Sequence, residues 1–202
     1  MNLLAEFFYA AVLGFFSQNL ALELGIGTGN LFKLSADKSV RRRYFFVIML
    51  VATLVATLIT YLIDTSLLSL ATQTYMRESL RALVFAAVMV IIEIATETVL
   101  GLAAPSLREQ IGGYLPNACM NSAVLAILLL NRQFEYGLLE SELFALMAVL
   151  GFIVSVIMMQ VLRERVELVR CPETMKGVPI TLLAAGILSL AFEGLANMNF
   201  PY

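Results

Sequence analysis

Long apolar runs separated by short polar links dominate this chain. A helix needs roughly 20 apolar residues to cross the hydrocarbon core of a bilayer, which is about 30 Å thick. Six windows of that kind occur, at 3–26, 44–63, 80–100, 111–130, 139–162 and 178–198. The pattern predicts six transmembrane helices.

Two of the predicted spans, the first and the fourth, contain residues that interrupt a membrane helix. The first includes "SQNLALELGIGTGN", and the fourth begins with "GGYLPNACMNS". Backbone groups freed by such breaks must be buried in protein or face water, because lipid cannot satisfy them. We therefore expect both spans in the interior of the bundle. The alternative is that glycine and proline are simply frequent in membrane helices.

The interrupted spans begin the two halves of the chain, about 1–105 and 106–202. Three helices precede the second half, so it enters the membrane from the opposite side. Paired broken helices in inverted halves indicate a site near the bilayer midplane. The predicted fold is thus one all-α integral membrane domain over 1–202, made of two inverted three-helix repeats with interrupted helices 1 and 4.

Composition supports a membrane protein and excludes several classes of function. Hydrophobic residues make up 60% of the chain and charged residues 14%, and the mean hydropathy is +0.89. These values lie beyond the range of a soluble domain. Histidine and tryptophan are absent, which excludes most hydrolase and haem-ligation schemes. We identify no catalytic residue, no complete metal site and no pattern typical of a nucleic-acid partner.

The distribution of positive charge predicts the orientation. Ten Lys and Arg residues lie in the first, third and fifth links, against three in the second and fourth, Arg77, Arg81 and Arg132. Since Lys and Arg remain on the cytoplasmic side, the first set of links is cytoplasmic. Both termini are then expected outside a bacterial or archaeal cytoplasmic membrane.

Four acids fall within or near the predicted spans: Glu23, Glu93, Glu97 and Glu193. A charged carboxylate is costly against lipid, so each should face the interior, a partner subunit or water. Glu93 and Glu97 are four residues apart and share a helix face; they could bind a cation or share a proton, or be satisfied structural carboxylates. With Asn19, Asn121 and Ser122, these acids are the candidate ion pathway.

Several short motifs, in order along nearly the whole chain, resemble a known family. They are "QNLAL", "LIDT", Y-x-R at 75–77, a glutamate eight residues before Pro105, "LP", "NSAVL", "LLN", "RER" and "KG…AGILSLAF". The chain resembles the six-helix membrane subunits of the Rnf and Nqr respiratory complexes, most closely the A-type subunits of Rnf.

The resemblance implies membership in an assembly that couples electron transfer across the membrane to Na⁺ or H⁺ movement. It also implies a homologous six-helix partner of opposite orientation, further Rnf/Nqr-like subunits, and a [2Fe–2S] cluster that the pair holds through two cysteines each. The family's cysteine positions correspond to Gly29 and Ser122 here. Iron–sulfur clusters are held by thiolates, which neither residue supplies.

Cys119, three residues before Ser122, is the candidate for a relocated ligand, while Cys171 lies in a cytoplasmic link. A lone buried cysteine is more often a packing residue. We therefore expect no cofactor in this chain, with a cluster shared with a partner as the less favoured alternative.

Two functions remain open on this basis. The chain is predicted to be a non-catalytic membrane subunit of an Rnf/Nqr-like ion-translocating electron transport complex. The alternative is a cluster-less, cation- or proton-coupled transporter built on the same fold.

Overall fold

The computed structural model describes residues 11–12, 14–15, 19, 22, 34, 41–66, 74–167, 172–175 and 177–196. Every regular element in these ranges is helical, which confirms the all-α prediction. Most of the first predicted span lies outside them, so its course stays a prediction.

Seven α-helices are present in the described part of the chain from residue 41 onward. They are α1 (Arg41–Ser66), α2 (Thr74–Ala103), α3 (Pro105–Ile111), α4 (Leu115–Cys119), α5 (Ser122–Gln133), α6 (Leu138–Glu167) and α7 (Val178–Ala196). Single 3₁₀ turns occur at Gly112–Tyr114 and Glu173–Met175.

Three of these helices are long and apolar enough to cross a membrane. The segments are Arg42–Ser66 in α1, Ser79–Ala103 in α2 and Leu138–Val166 in α6, and α7 contains a shorter apolar stretch, Val178–Gly194. Each contains or overlaps a span predicted from the hydrophobic pattern. The predicted span 111–130 is instead divided between α4 and α5, with Met120 and Asn121 between them.

The outward face of α1 is apolar, and its inward face carries polar residues. Its buried polar residues, each at most 3% exposed, are Thr53, Thr57, Thr60 and Asp64. Its exposed apolar residues, spaced three or four positions apart, are Val47, Val51, Val55, Leu58 and Leu62. Water would solvate such a surface poorly, whereas lipid solvates it well. The exposure pattern therefore agrees with a membrane environment.

The core lies between α1, α2, α4, α5 and α6. Its largest fully buried side chains include Phe45, Phe85, Ile127, Phe144 and Phe152. A second, smaller cluster brings α7 against α6 and residue 22, through Leu22, Leu162, Leu188 and Phe192.

Polar contacts at the helix ends show how α1 and α6 run. Arg42, at the start of α1, donates to the side chain of Gln160 near the end of α6. Near the other end of α1, Asp64 is paired with Arg132 at the end of α5. α1 and α6 are therefore antiparallel, and the break between α4 and α5 lies between the two polar ends of the bundle.

Candidate intramembrane polar site

Asn19 is fully buried against α6, and its side-chain amide is bonded on both sides. Nδ2 donates to the carbonyl oxygens of Gly151 at 3.2 Å and Phe15 at 3.5 Å. Oδ1 accepts from the Leu22 N–H at 3.2 Å and from the Ser155 hydroxyl at 3.0 Å. These bonds attach the first predicted span to α6. A role for Asn19 in an ion pathway stays a prediction.

Two glycines allow the backbone near residue 15 to approach α6. A Cβ atom on Gly151 would lie 2.7 Å from the carbonyl oxygen of Phe15, and one on Gly14 would lie 2.9 Å from that of Phe144. Favourable contacts between non-bonded carbon atoms lie at roughly 3.5–4.0 Å. Glycine at both positions thus permits the contact that brings Asn19 to the Gly151 carbonyl.

Asn121 lies at the break in the fourth predicted span and caps the start of α5. Its backbone is extended, with φ −79° and ψ 134°, and its Oδ1 accepts from the Ala123 N–H at 3.1 Å as an N-cap. Its Nδ2 faces Met49 Sδ on α1 at 3.9 Å, a weak contact because a thioether is a poor acceptor. The break therefore places a buried amide and the N-terminus of α5 in the interior.

Cys119 lies near Glu93 where α4 packs on α2. Cys119 is 1% exposed, and its side chain faces those of Thr96 and Glu93. Ser122, at the first helical position of α5, is exposed. The break thus has a buried side with Cys119 and Asn121 and an exposed side with Ser122.

The remaining described acids lie apart from this break. Glu97 pairs with Arg108 on α3 at 2.7 Å, and both side chains are about half exposed. Glu193, on α7, is also exposed. Within the described ranges, no three Cys, Asp or Glu side chains are grouped so that they could hold a metal ion.

Three residues singled out from the sequence fall outside the described ranges. They are Glu23, Gly29 and Cys171. Their predicted roles stay predictions.

A buried ion-pair cluster joins the ends of three helices. Asp64 on α1 is fully buried, and its Oδ1 accepts from Arg81 Nε on α2 at 2.8 Å. Its Oδ2 lies 2.7 Å from a terminal nitrogen of Arg132 on α5. The Arg132 guanidinium also lies over the Tyr61 ring, 5.6 Å from its centroid. This cluster holds one end of the bundle together.

Comparison with known proteins classifies the chain. Residues 7–199 match the family model described as "Rnf-Nqr subunit, membrane protein". This chain belongs to the Rnf-Nqr family. The prediction of family membership is confirmed, and the protein is a multi-pass membrane subunit of that family.

Curated relatives of this Rnf-Nqr protein are named as components of complexes. The chain is 33% identical to the A-type component of the "Na(+)-translocating ferredoxin:NAD(+) oxidoreductase complex" of Acetobacterium woodii, over 71% of this chain and 73% of the relative. It is 37% identical to the A-type component of the "Ion-translocating oxidoreductase complex" of Pasteurella multocida, over the same shares. The corresponding protein from Shewanella loihica is 32% identical, over 71% and 72%.

Sequence reasoning about this Rnf-Nqr protein missed the Asp64 cluster and the buried threonines of α1. Asp64 stands near the end of an apolar run, where a solvated carboxylate is the ordinary expectation. The available signal was the spacing of Thr53, Thr57, Thr60 and Asp64, which places all four on one helix face.

Proposed function

We propose that the chain is a membrane subunit of an Rnf-like complex that couples electron transfer to cation movement, and that it pairs with a homologous subunit of opposite topology. The observation that carries this proposal is the buried polar break at Asn121 inside a bundle whose outer surface is apolar. The relatives of this chain are named as components of ion-translocating oxidoreductases. A buried polar site inside a membrane protein is consistent with that role.

A constant sequence shift between contacts supports the inverted-repeat architecture. Asn19 donates to Gly151, and Asn121 faces Met49. Asn121 lies 102 residues after Asn19, and Gly151 lies 102 residues after Met49. Each asparagine thus contacts the second predicted span of the opposite half, as expected when two repeats are related by a twofold axis.

The same shift relates two hydroxyl contacts. Thr53 Oγ1 donates to the Met49 carbonyl at 2.6 Å, and Ser155 Oγ lies 2.8 Å from the Gly151 carbonyl oxygen. Both pairs differ by 102 residues. We infer six transmembrane helices in one domain, with halves of about 1–105 and 106–202.

The Asp64 cluster strengthens the argument for orientation. Arg81 and Arg132 are two of the three positive residues in the links assigned to the outside, and Asp64 pairs with both. Both arginines are held at that end because they neutralise the buried Asp64 carboxylate. When these two arginines are set aside, ten positive residues in the first, third and fifth links stand against one, Arg77, in the second and fourth. This larger imbalance favours external termini in a bacterial or archaeal cytoplasmic membrane.

Exposed polar groups at the break and on α2 and α3 favour a protein partner over lipid. Ser122 and the Glu97–Arg108 pair are exposed in the isolated chain. Burying charged groups against hydrocarbon is costly, so a second protein chain is the better neighbour for this surface. We assign it to the homologous subunit.

The donors in this chain do not fit a [2Fe–2S] cluster held by two of its own thiolates. Ser122 presents a hydroxyl, and Cys119 is a single thiol packed toward α2. We infer that this chain supplies no pair of cluster ligands, so no electron-transfer step is assigned to its residues. Because the described ranges hold a single interior thiol, the cluster-less transporter stays the second candidate function.

Reconstitution of the complex tests the proposal. The chain is purified with the membrane proteins that accompany it and placed in vesicles with an electron donor and acceptor. We expect uptake of Na⁺ or H⁺ that depends on electron flow. Cation uptake driven only by a solute gradient would instead establish the transporter. An intact complex with electron transfer but no uptake of either ion would contradict both.

A further inference from the structure

A row of buried polar side chains follows one face of α1. Thr53, Thr57, Thr60 and Asp64 are spaced by four, three and four residues, and none is more than 3% exposed. We call these four residues the α1 polar stripe. At 1.5 Å per residue it is about 16 Å long, which is about half of a hydrocarbon core of roughly 30 Å.

The hydroxyls of the stripe present oxygen atoms to the interior. Thr57 Oγ1 donates to the Thr53 carbonyl at 2.9 Å, and Thr60 Oγ1 donates to the Ala56 carbonyl at 2.7 Å. A hydroxyl has one donor but two acceptor lone pairs. Once the donor is bonded to the backbone, the oxygen remains able to accept from water or to coordinate a cation.

The proposed repeat relation indicates that packing does not require these hydroxyls. Positions 102 residues after the stripe lie on α6 and are Ser155, Met159, Leu162 and Val166. Only the first, which contacts Asn19, is polar. An equivalent helix face is therefore built from apolar side chains, so the polarity of the α1 stripe needs another explanation.

The stripe connects two polar features of the bundle. One turn before Thr53, Met49 contacts Asn121 at the helix break. At the far end, Asp64 is held by Arg81 and Arg132. The stripe thus leads from the interior break to one end of the bundle.

Two polar side chains at that end, one buried and one half-buried, have buried atoms without a partner. Asn131 is 3% exposed, and neither its Oδ1 nor its Nδ2 has a hydrogen-bond partner. Asn131 directly precedes Arg132, whose guanidinium pairs with Asp64. The Asn131 amide therefore lies at the level of the Asp64 cluster. Glu142, in the second turn of α6, has a buried Oε1 without a partner. Buried polar groups of this kind usually bind water or an ion.

We propose that the three threonines of the α1 polar stripe, Asn131 and Glu142 bind water and the translocated monovalent cation between that end and the Asn121 break. The cation ligands are hydroxyl, amide and carboxylate oxygens, which replace part of its hydration shell. Asp64 is occupied by two arginines and marks the end of the path instead of coordinating the ion. This inference rests on the proposed function and names the route within it.

The test compares two threonine variants of α1 in the reconstituted complex. The double variant Thr57→Val, Thr60→Val removes two interior hydroxyls with little change of shape. The control is Thr65→Val, because Thr65 donates to the Tyr61 carbonyl at 2.9 Å in the same way but is exposed. Radioactive Na⁺ and a pH-sensitive dye report the two cations in parallel.

We expect cation uptake to fall about tenfold in the double variant, because two hydroxyl ligands are lost, and to remain unchanged in Thr65→Val. Thr57→Ser with Thr60→Ser, which keeps both hydroxyls, should restore most of the rate. Equal uptake by the double variant and Thr65→Val, beside an active wild type, would overturn the route and leave the proposed function standing. A wild type with electron transfer but no uptake would overturn the proposed function itself.

A binding measurement keeps the inference testable if the double variant assembles poorly. The unfolding temperature of the wild-type complex should rise with Na⁺ relative to choline, since an ion that binds the folded state stabilises it. Asn131→Leu should reduce that rise. A shift equal to that of the wild type would exclude Asn131 from the site.

Discussion

At the scale of single residues, close approach decides which polar groups meet. Asn19 reaches the Gly151 carbonyl because neither Gly14 nor Gly151 carries a Cβ atom that would collide with the opposing backbone. The small size of these residues is therefore as important to the site as the polarity of Asn19. Small residues at helix contacts serve this purpose generally in membranes.

Gly151→Ala should destabilise the protein, because the new Cβ would lie 2.7 Å from the Phe15 carbonyl oxygen. We expect a loss of about 1–3 kcal/mol, typical of overpacking. Gly186→Ala is the matched control, since a Cβ at Gly186 on α7 would meet no atom within 4 Å. Thermal unfolding in detergent measures both. An unfolding temperature as high for Gly151→Ala as for the control would contradict the close-contact argument.

At the scale of helices, the division of one predicted span into α4 and α5 is the decisive feature. Pro116 stands in the first turn of α4, and Asn121 caps α5. Proline is tolerated at a helix start, where its missing N–H is not needed. The break is thus stabilised locally by the residues that the sequence places there.

Asn121→Ala should weaken the start of α5, because the Ala123 N–H loses its side-chain acceptor. The expected cost is about 1 kcal/mol, within the range for losing an N-cap. Asn121→Ser keeps a capping oxygen and should retain most of the stability. Equal unfolding temperatures for the alanine and serine variants would show that capping is not what stabilises the break.

At the scale of the whole molecule, the Asp64 cluster joins α1, α2 and α5. Asp64→Asn would leave Arg81 and Arg132, both mostly buried, without their carboxylate. Breaking a buried ion pair costs about 3–5 kcal/mol, so we expect low yield and a clearly lower unfolding temperature. Glu97→Gln breaks a half-exposed pair and should alter stability little by comparison. Similar stability of Asp64→Asn and wild type would remove the cluster from the structural account.

Glu97 provides a test of coupling in the assembled complex. Its pair with Arg108 lies on the surface that we assign to a partner subunit. We expect Glu97→Gln to lower the ratio of cation uptake to electron transfer several-fold, because an unpaired Arg108 then faces the partner. Glu109→Gln, at an exposed position on α3, is the control. The same ratio in both variants would exclude Glu97 from the ion pathway and its interface.

The sequence alone was sufficient for the membrane class, for the spans now seen as α1, α2 and α6, and for the family. Each depends on local information, since a run of about 20 apolar residues is long enough for a membrane helix whatever its neighbours are. The break at Asn121 was also foreseeable, because glycine, proline and asparagine disrupt a helix through their own backbone and side-chain chemistry.

Only the tertiary structure decided which polar side chains come together. Asn19 and Gly151 are 132 residues apart in the chain, and Asp64 is joined to arginines on two other helices. Such contacts depend on how helices rotate and pack, which local hydrophobicity does not specify. For the same physical reason, the sequence singled out Glu97 as an intramembrane acid and did not single out Asp64, whereas packing placed Asp64 in the interior and Glu97 at the surface.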